Sequence, residues 1–569
     1  MRAFRASAAT LATCCLLFAS PAFAEVGPPV PLLPVPAPPP AGAPAPPPPG
    51  APASAEGIRA APLAPADPAW IGTLGAADNA LPRDLWTDAP RPLVAAALPL
   101  LRPTTSPGLQ DLVRRLLLSD AAAPAGPDTP GQPSLLALRV DRLLVLGRLD
   151  AVQLIDLLPQ ANTSEQIDRA SVELRMAASD ADGACRLVQQ RANRYGNPWW
   201  DRAIIACQAL NGAYDEATIG LSAIRERKIA ADPAFDALIE TIGGRRQKLD
   251  KLPDPTPLRL ALLAAAKLPL PPETLAAAGP AALAAYASSD KAPILPRLAA
   301  AEKAEAFGAL PPGALTLLYG SVEAKPEERA AAVASGRLPD DPRARAILYG
   351  VARANGAGAG RIAALTPLLA DARKRGAYVT MARLVAPLIA ELEPSPDWRG
   401  FAGDAARVLL AAGDFEHALA WVEVSGAPEL RVLAALAHPA REDTPAPLAE
   451  AVAALRQRDP TSAPHQADLL TALLPALGEP ATAVELAPLL RPLHEGMVPP
   501  AALWQEQQEA SAQNRVGETV LLSLVMAMPG DQLSPEPLVL AQIVAGLKAV
   551  GLEADARAIA VEAALAAGI

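Results

Sequence analysis

Leu409-Leu410-Ala411-Ala412-Gly413-Asp414-Phe415-Glu416-His417-Ala418-Leu419-Ala420-Trp421 reads as the end of one helix, a tight turn and the start of a second helix. Gly413 falls where the first helix must stop, and glycine enters the left-handed conformation there without a Cβ clash. Asp414 is placed to cap the second helix. Phe415, Ala418 and Trp421 or Val422 then share one helical face, and the small Ala418 lets two helices approach closely.

The same grammar recurs along the chain. Gly147 follows Leu143-Leu144-Val145-Leu146, and Gly212 follows an apolar run ending at Leu210. Gly376 leads through Tyr378 to Met381, Gly478 to Ala483, and Gly551 to Ala556. With Gly413, these turn glycines are spaced by 65, 164, 37, 65 and 73 residues. The spacings approximate multiples of about 33–37 residues, the period of a two-helix repeat. A glycine, an aromatic two residues on and an alanine three further on resemble the second half of a tetratricopeptide (TPR) repeat. The resemblance implies an all-α fold, an α-solenoid of irregular helix-turn-helix, TPR-like repeats. An irregular helical bundle is the plainer alternative.

Composition points to the same class. The chain is 51 % hydrophobic but only 4 % aromatic, with alanine and leucine making up the difference. Alanine has the highest helix propensity, and two-residue alternation is nearly absent. At 569 residues the chain exceeds a single compact core, so several cores or an elongated array of repeats is expected.

The N-terminus carries a leader pattern. Arg2 and Arg5 precede an apolar run from Ala6 to Ala19, and Ala22-Phe23-Ala24 forms a small-x-small cleavage site before Glu25. This is the pattern of a secretory signal peptide, residues 1–24, too short to span a membrane. Thr13-Cys14 is a poor lipoprotein box, so lipidation is not expected. Loss of the leader takes the net charge from −10 to −12. That balance argues against nucleic acid and anionic membrane as partners. No later stretch is apolar for long enough to make a transmembrane segment. A soluble periplasmic or secreted protein is expected.

Residues 25–66 are dominated by proline, including Pro38-Pro39-Pro40 and Pro46-Pro47-Pro48-Pro49. Proline fixes its own φ and lacks an amide donor, so a polyproline or disordered spacer is expected. Helical repeats follow in three regions, 67–250, 251–437 and 438–569, divided by proline-rich joints after Asp250 and at His438-Pro439. Gln505 to Gln513 is expected to form a polar helical face, and the last helix, Gly551 to Ala566, is expected to cap the array.

The search for chemistry returns little. The four histidines, His417, His438, His465 and His494, have no second ligand at metal spacing. His494-Glu495 begins like a zinc-protease motif but has no histidine four residues on. No Gly-x-Ser-x-Gly elbow or phosphate loop is present. Gly356-Ala357-Gly358-Ala359-Gly360-Arg361 is read as an interhelical turn. The superhelix also resembles the non-catalytic part of soluble lytic transglycosylases. The Glu-Ser pair and Gly-Leu-Met-Gln stretch of their catalytic domain are absent, so no acid for glycosidic cleavage can be assigned. No cofactor and no catalytic or metal-binding residue is expected.

Past the leader two cysteines remain, Cys185 and Cys207, each eleven residues from Gly196. In an antiparallel hairpin turning at Tyr195-Gly196-Asn197 they come level with each other. Asn197 caps the second helix and Pro198 begins it. Alanines at 184, 203 and 206 allow the close approach that a disulfide needs. An oxidising compartment favours the pairing. The sequence therefore predicts an exported helical-repeat scaffold that binds a protein or peptide partner and is not an enzyme. The alternatives are a non-catalytic accessory of peptidoglycan metabolism and an enzyme with an unrecognised site.

Overall fold

The computed structural model describes residues 68–158, 163–335, 340–439, 445–484, 498–528 and 535–569. The leader, the proline-rich stretch and His494 lie outside them. Among the described residues there are 27 α-helices and no strand. They run α1 Arg91–Ala97, α2 Pro107–Leu118, α3 Leu135–Val145, α4 Ala151–Leu157, α5 Glu165–Ala177, α6 Ala181–Arg191, α7 Pro198–Leu210, α8 Tyr214–Glu226 and α9 Pro233–Ile242. Next come α10 Pro257–Ala265, α11 Pro272–Ala277, α12 Pro280–Ala287, α13 Ile294–Ala306, α14 Ala314–Gly320, α15 Pro326–Ala334, α16 Pro342–Ala354, α17 Ala359–Lys374 and α18 Tyr378–Ala390. The last are α19 Arg399–Ala411, α20 Phe415–Ser425, α21 Pro428–Ala437, α22 Leu448–Arg458, α23 Ala463–Leu477, α24 Ala501–Ala512, α25 Val516–Ala527, α26 Pro537–Ala549 and α27 Glu553–Ala566.

Sequence chemistry sets these boundaries. Ten helices begin with proline, whose missing N–H would have no intrahelical partner in the first turn. Caps precede many of them: Asn197 Oδ1 accepts from Trp199 N at 2.9 Å, and Asp414 Oδ1 from His417 N at 3.3 Å. The six repeat-turn glycines, Gly147, Gly212, Gly376, Gly413, Gly478 and Gly551, all have φ between 65° and 82°. At Gly413 the turn delivers α20 against α19, where Ala402, Ala405, Ala406 and Ala418 are buried. Alanine faces of this kind replace bulky side chains in the core.

Consecutive helices pack as antiparallel neighbours, a helical-repeat arrangement compatible with an α-solenoid. Residues Pro65–Ile569 form one compact unit with a hydrophobic core running from Ala69 to Ile569. Helix α10 returns to pack on α5 and α7, and α12 packs on α5 and α10. Further on, α27 contacts α18, α19, α21, α23 and α26.

The two ends of this unit meet. Helices α1 and α2 pack on α25, and α2 also packs on α27. Glu562 accepts from the N–H of Gly108 at 2.9 Å and from the Ser106 hydroxyl, capping α2 from 454 residues away. Arg115 pairs with Asp555, and Gly517 N donates to Leu85 O at 3.0 Å. Helix α27 is therefore an internal element and not the terminal cap expected from the sequence. Its Ala556, Ile559, Ala560 and Ala564 are buried among helices from both ends of the unit.

A second adjustment concerns Gly478. The chain after it is extended, with no helix starting at Ala483. Pro480 O accepts from Ala446 N at 2.8 Å, and Thr482 N donates to Ala446 O at 3.0 Å. A third concerns the stretch Gln505 to Gln513, read as a polar face. Gln507 is fully buried, donating to the Ser523 hydroxyl at 3.1 Å and accepting from Gln542 at 2.7 Å.

Cationic side chains tie the layers together by donating to carbonyls at the ends of other helices. Arg139 reaches Leu117 O (2.7 Å), Ala69 O (3.1 Å) and Ile71 O (2.8 Å), and its guanidinium lies 4.8 Å from the ring centre of Trp70. Arg297 reaches Ala287 O (2.7 Å), and Lys303 reaches Leu275 O and Ala276 O (both 2.8 Å). Arg361 donates to Leu388 O (2.8 Å), Arg557 to Ala435 O (3.2 Å) and Arg407 to Ile569 O (2.9 Å). The final carbonyls of a helix lack intrahelical donors and carry the negative end of its dipole. A charged donor to such a group contributes about 1.5–3 kcal/mol.

Candidate ligand cleft

The hairpin of α6 and α7 is the scaffold of the site. Cys185 and Cys207 stand at disulfide distance, S–S 2.07 Å and Cα–Cα 5.5 Å, with Ala184, Ala203 and Ala206 buried in the same seam. On α7, Trp200, Ala203 and Cys207 occupy the buried face. Trp199 and Arg202, one position away from the first two, are thereby turned toward the open side. Trp199 and Trp200 meet edge to face at 4.8 Å, and Tyr195 stacks on Trp200 at 5.3 Å. The cross-link and this aromatic stack fix where Trp199 stands.

Facing it is α5. The Arg169 guanidinium lies 5.0 Å from the centre of the Trp199 ring. One turn further along α5, Glu173 is buried and its Oε2 accepts from Leu258 N at 2.8 Å, at the start of α10. Burial pushes the Glu173 carboxyl up to about 7, against the opposing pull of the Leu258 amide, the Thr256 hydroxyl, Arg169 and Arg259. Between α3, α5, α7 and the start of α10 opens a cleft of about 700 Å³. Arg169, Glu173, Trp199, Arg202, Thr256 and Arg259 all line it.

Its charges are unevenly used. Asp141 is paired with Arg142 at 2.5 Å, and Arg259 with Asp232. Glu165 accepts from Trp200 Nε1 at 3.3 Å. Arg202 donates to Ala230 O, but its buried Nε has no acceptor. Among the described residues neither Arg169 nor Arg202 forms an ion pair.

A second cavity, about 440 Å³, lies beside Leu149, Ser179, Ser288, Leu310 and Leu317. Its one cation, Arg297, is committed to Ala287 O. It offers an apolar surface without an uncommitted charge.

The histidines stand apart from both. The His417 ring is exposed, its Nδ1 2.8 Å from Asp414 Oδ1, and His438 stacks on Phe415 at 4.5 Å. His465 lies on α23. No grouping of metal-ligating side chains occurs among the described residues. Gly356 to Gly358 lies in the turn between α16 and α17, Ala359 and Gly360 open α17, and Arg361 donates back to Asn355 O at 2.9 Å. No described helix is long and apolar enough to cross a membrane.

Sequence reading placed the hairpin but not the cleft residues. The signal was present in Trp199-Trp200-x-Arg202. Once Trp200 joins Ala203 and Cys207 on the inner face, Trp199 must point elsewhere, and it stands half-buried in the lining of the cleft. No family model, no curated protein and no solved structure matches this chain.

Proposed function

We propose that this chain is an exported, TPR-like helical-repeat scaffold that binds a protein or peptide partner in the periplasm or cell envelope. The observation that carries the reading is the open cleft, where Trp199, Arg169 and Arg202 stand together on helices held by the cross-linked hairpin. Concave surfaces of stacked helical repeats suit extended partners. Export is supported by the leader pattern ending at Ala24 and by the cysteine pair, which persists in an oxidising compartment. Binding is favoured over catalysis because Glu173 is held by the Leu258 amide as a cap on α10, leaving its carboxyl committed.

The test is chemical crosslinking of the intact protein in periplasm, beside co-sedimentation with purified peptidoglycan sacculi. Recovery of one protein partner supports the scaffold reading. Sedimentation with sacculi and no protein adduct would replace it with a role in peptidoglycan metabolism.

A further inference from the structure

We propose that Glu506 and Glu518 form a proton-operated latch: one proton bridging the two carboxyls holds the start of α25 against Leu85 and Trp86, and its loss loosens that seam. The latch acts where the two ends of the unit meet, and it stands whether or not the cleft takes a partner.

Three observations converge on it. The first is a shortage of donors. Arg515 donates to Glu506 Oε1 at 3.1 Å and to Glu518 Oε2, so one guanidinium serves two carboxyls. The Glu518 side chain is 1 % exposed, and its buried Oε1 has no hydrogen-bond partner. An ionised Glu518 would leave that oxygen unsatisfied in the interior, which is costly. The second is the neighbouring acid. The Glu506 carboxyl stands within hydrogen-bonding reach of Glu518. A proton between them turns a like-charge contact into a charge-assisted hydrogen bond. Burial, together with Glu506, pushes the Glu518 carboxyl above the usual carboxylate range against the pull of Arg515. The third is position. The adjoining Gly517 donates to Leu85 O at 3.0 Å, and a Cβ there would stand 2.4 Å from that oxygen and 2.9 Å from the Trp86 ring. A backbone approach this close transmits any shift in the first turn of α25 to Leu85 and Trp86.

The charges on the other elements packed against α25 are committed elsewhere. Helices α1, α2 and α26 bring Arg91 paired with Asp128, Arg114 with Asp150, Arg115 with Asp111 and Asp555, and Lys548 bonded to Leu477 O. In the turn before α1, Arg83 pairs with Asp120, and Asp84 and Asp88 are exposed. On α24, Glu509 is exposed and accepts from Gln513. Glu506 itself is 41 % exposed, which gives the proton a path to solvent. Opening the seam hands Glu518 to water, where it ionises as an ordinary carboxyl near 4.5, while the closed seam keeps the proton to higher pH. Opening therefore releases a proton, and its equilibrium rises about tenfold per pH unit until the closed form ionises too. The seam is tightest in acid and loosens as pH rises.

The experiment follows hydrogen–deuterium exchange of the intact oxidised protein from about pH 5 to about pH 8.5, corrected for the intrinsic pH dependence of exchange. The expected result is that peptides covering residues 82–88 and 515–520 lose protection by about tenfold or more, while the hairpin of α19 and α20 does not. Glu518→Gln supplies a permanent donor and should keep the seam protected throughout. Glu506→Gln gives the ionised Glu518 a donor and should also flatten the response, so the test survives if the first variant fails to fold. An infrared band of a protonated carboxyl at about pH 6, missing from Glu518→Gln, identifies the proton itself. An equal pH response in wild type and the variants, unchanged protection at the seam in wild type, or no such band overturns the inference.

Discussion

Glu173 sits between two opposing effects. Burial disfavours its charge, and the amide of Leu258 together with nearby Arg169 and Arg259 favours it; burial prevails, and the carboxyl rises from 4.5 to about 7. Because the folded chain holds this proton more tightly than the unfolded chain, the stability it contributes is complete below about pH 4.5. That contribution is lost as pH rises through about 7. The difference is on the order of 3 kcal/mol. Glu173→Gln keeps an acceptor for Leu258 N and removes the titration. Urea unfolding at pH 5 and pH 8 should show wild type losing stability that the variant retains, and equal losses in both would contradict the assignment. At this scale the sequence was legible where chemistry is local. Gly413 had to be left-handed, and Asp414 and Asn197 cap the helices they precede. The arginines were not legible, because their partners are backbone carbonyls. Every residue carries one, so nothing in the sequence says that Arg557 meets Ala435 or that Arg148 meets Phe307.

The hairpin of α6 and α7 is the element on which the cleft depends. Its register followed from symmetric spacing about Gly196, and the sulfurs meet although α6 ends at Arg191 and continues as a 3₁₀ turn to Arg194. Protein isolated from cells without reductant and alkylated after denaturation should carry no label at Cys185 or Cys207. Replacing both with alanine should cost about 3 kcal/mol, the loop-closure value for a span of this length. Labelling of both thiols would contradict the cross-link. Other elements were read correctly in kind and wrongly in role. The Gln505 to Gln513 stretch is helical, yet Gln507 points inward, because Ser523 and Gln542 supply the partners that make a buried amide tolerable.

The meeting of the two ends of the unit was invisible in the sequence for a physical reason. Helical periodicity specifies which face each helix buries and which neighbour follows it. It does not specify how one helix pair is rotated against the next, so it cannot say that α27 meets α2. The contacts that make the closure, Glu562 with Gly108 and Arg115 with Asp555, link residues more than 400 positions apart. The cleft lies within this framework, and its use as a docking site is the central claim. The most direct measurement places a photo-crosslinking residue at Gln166, exposed at the cleft, and at Arg246, exposed outside it, in cells producing the full chain. The account predicts one protein adduct from Gln166, lost when Arg169→Gln is added, and none from Arg246. Adducts alike from both positions, or none from Gln166, would contradict it.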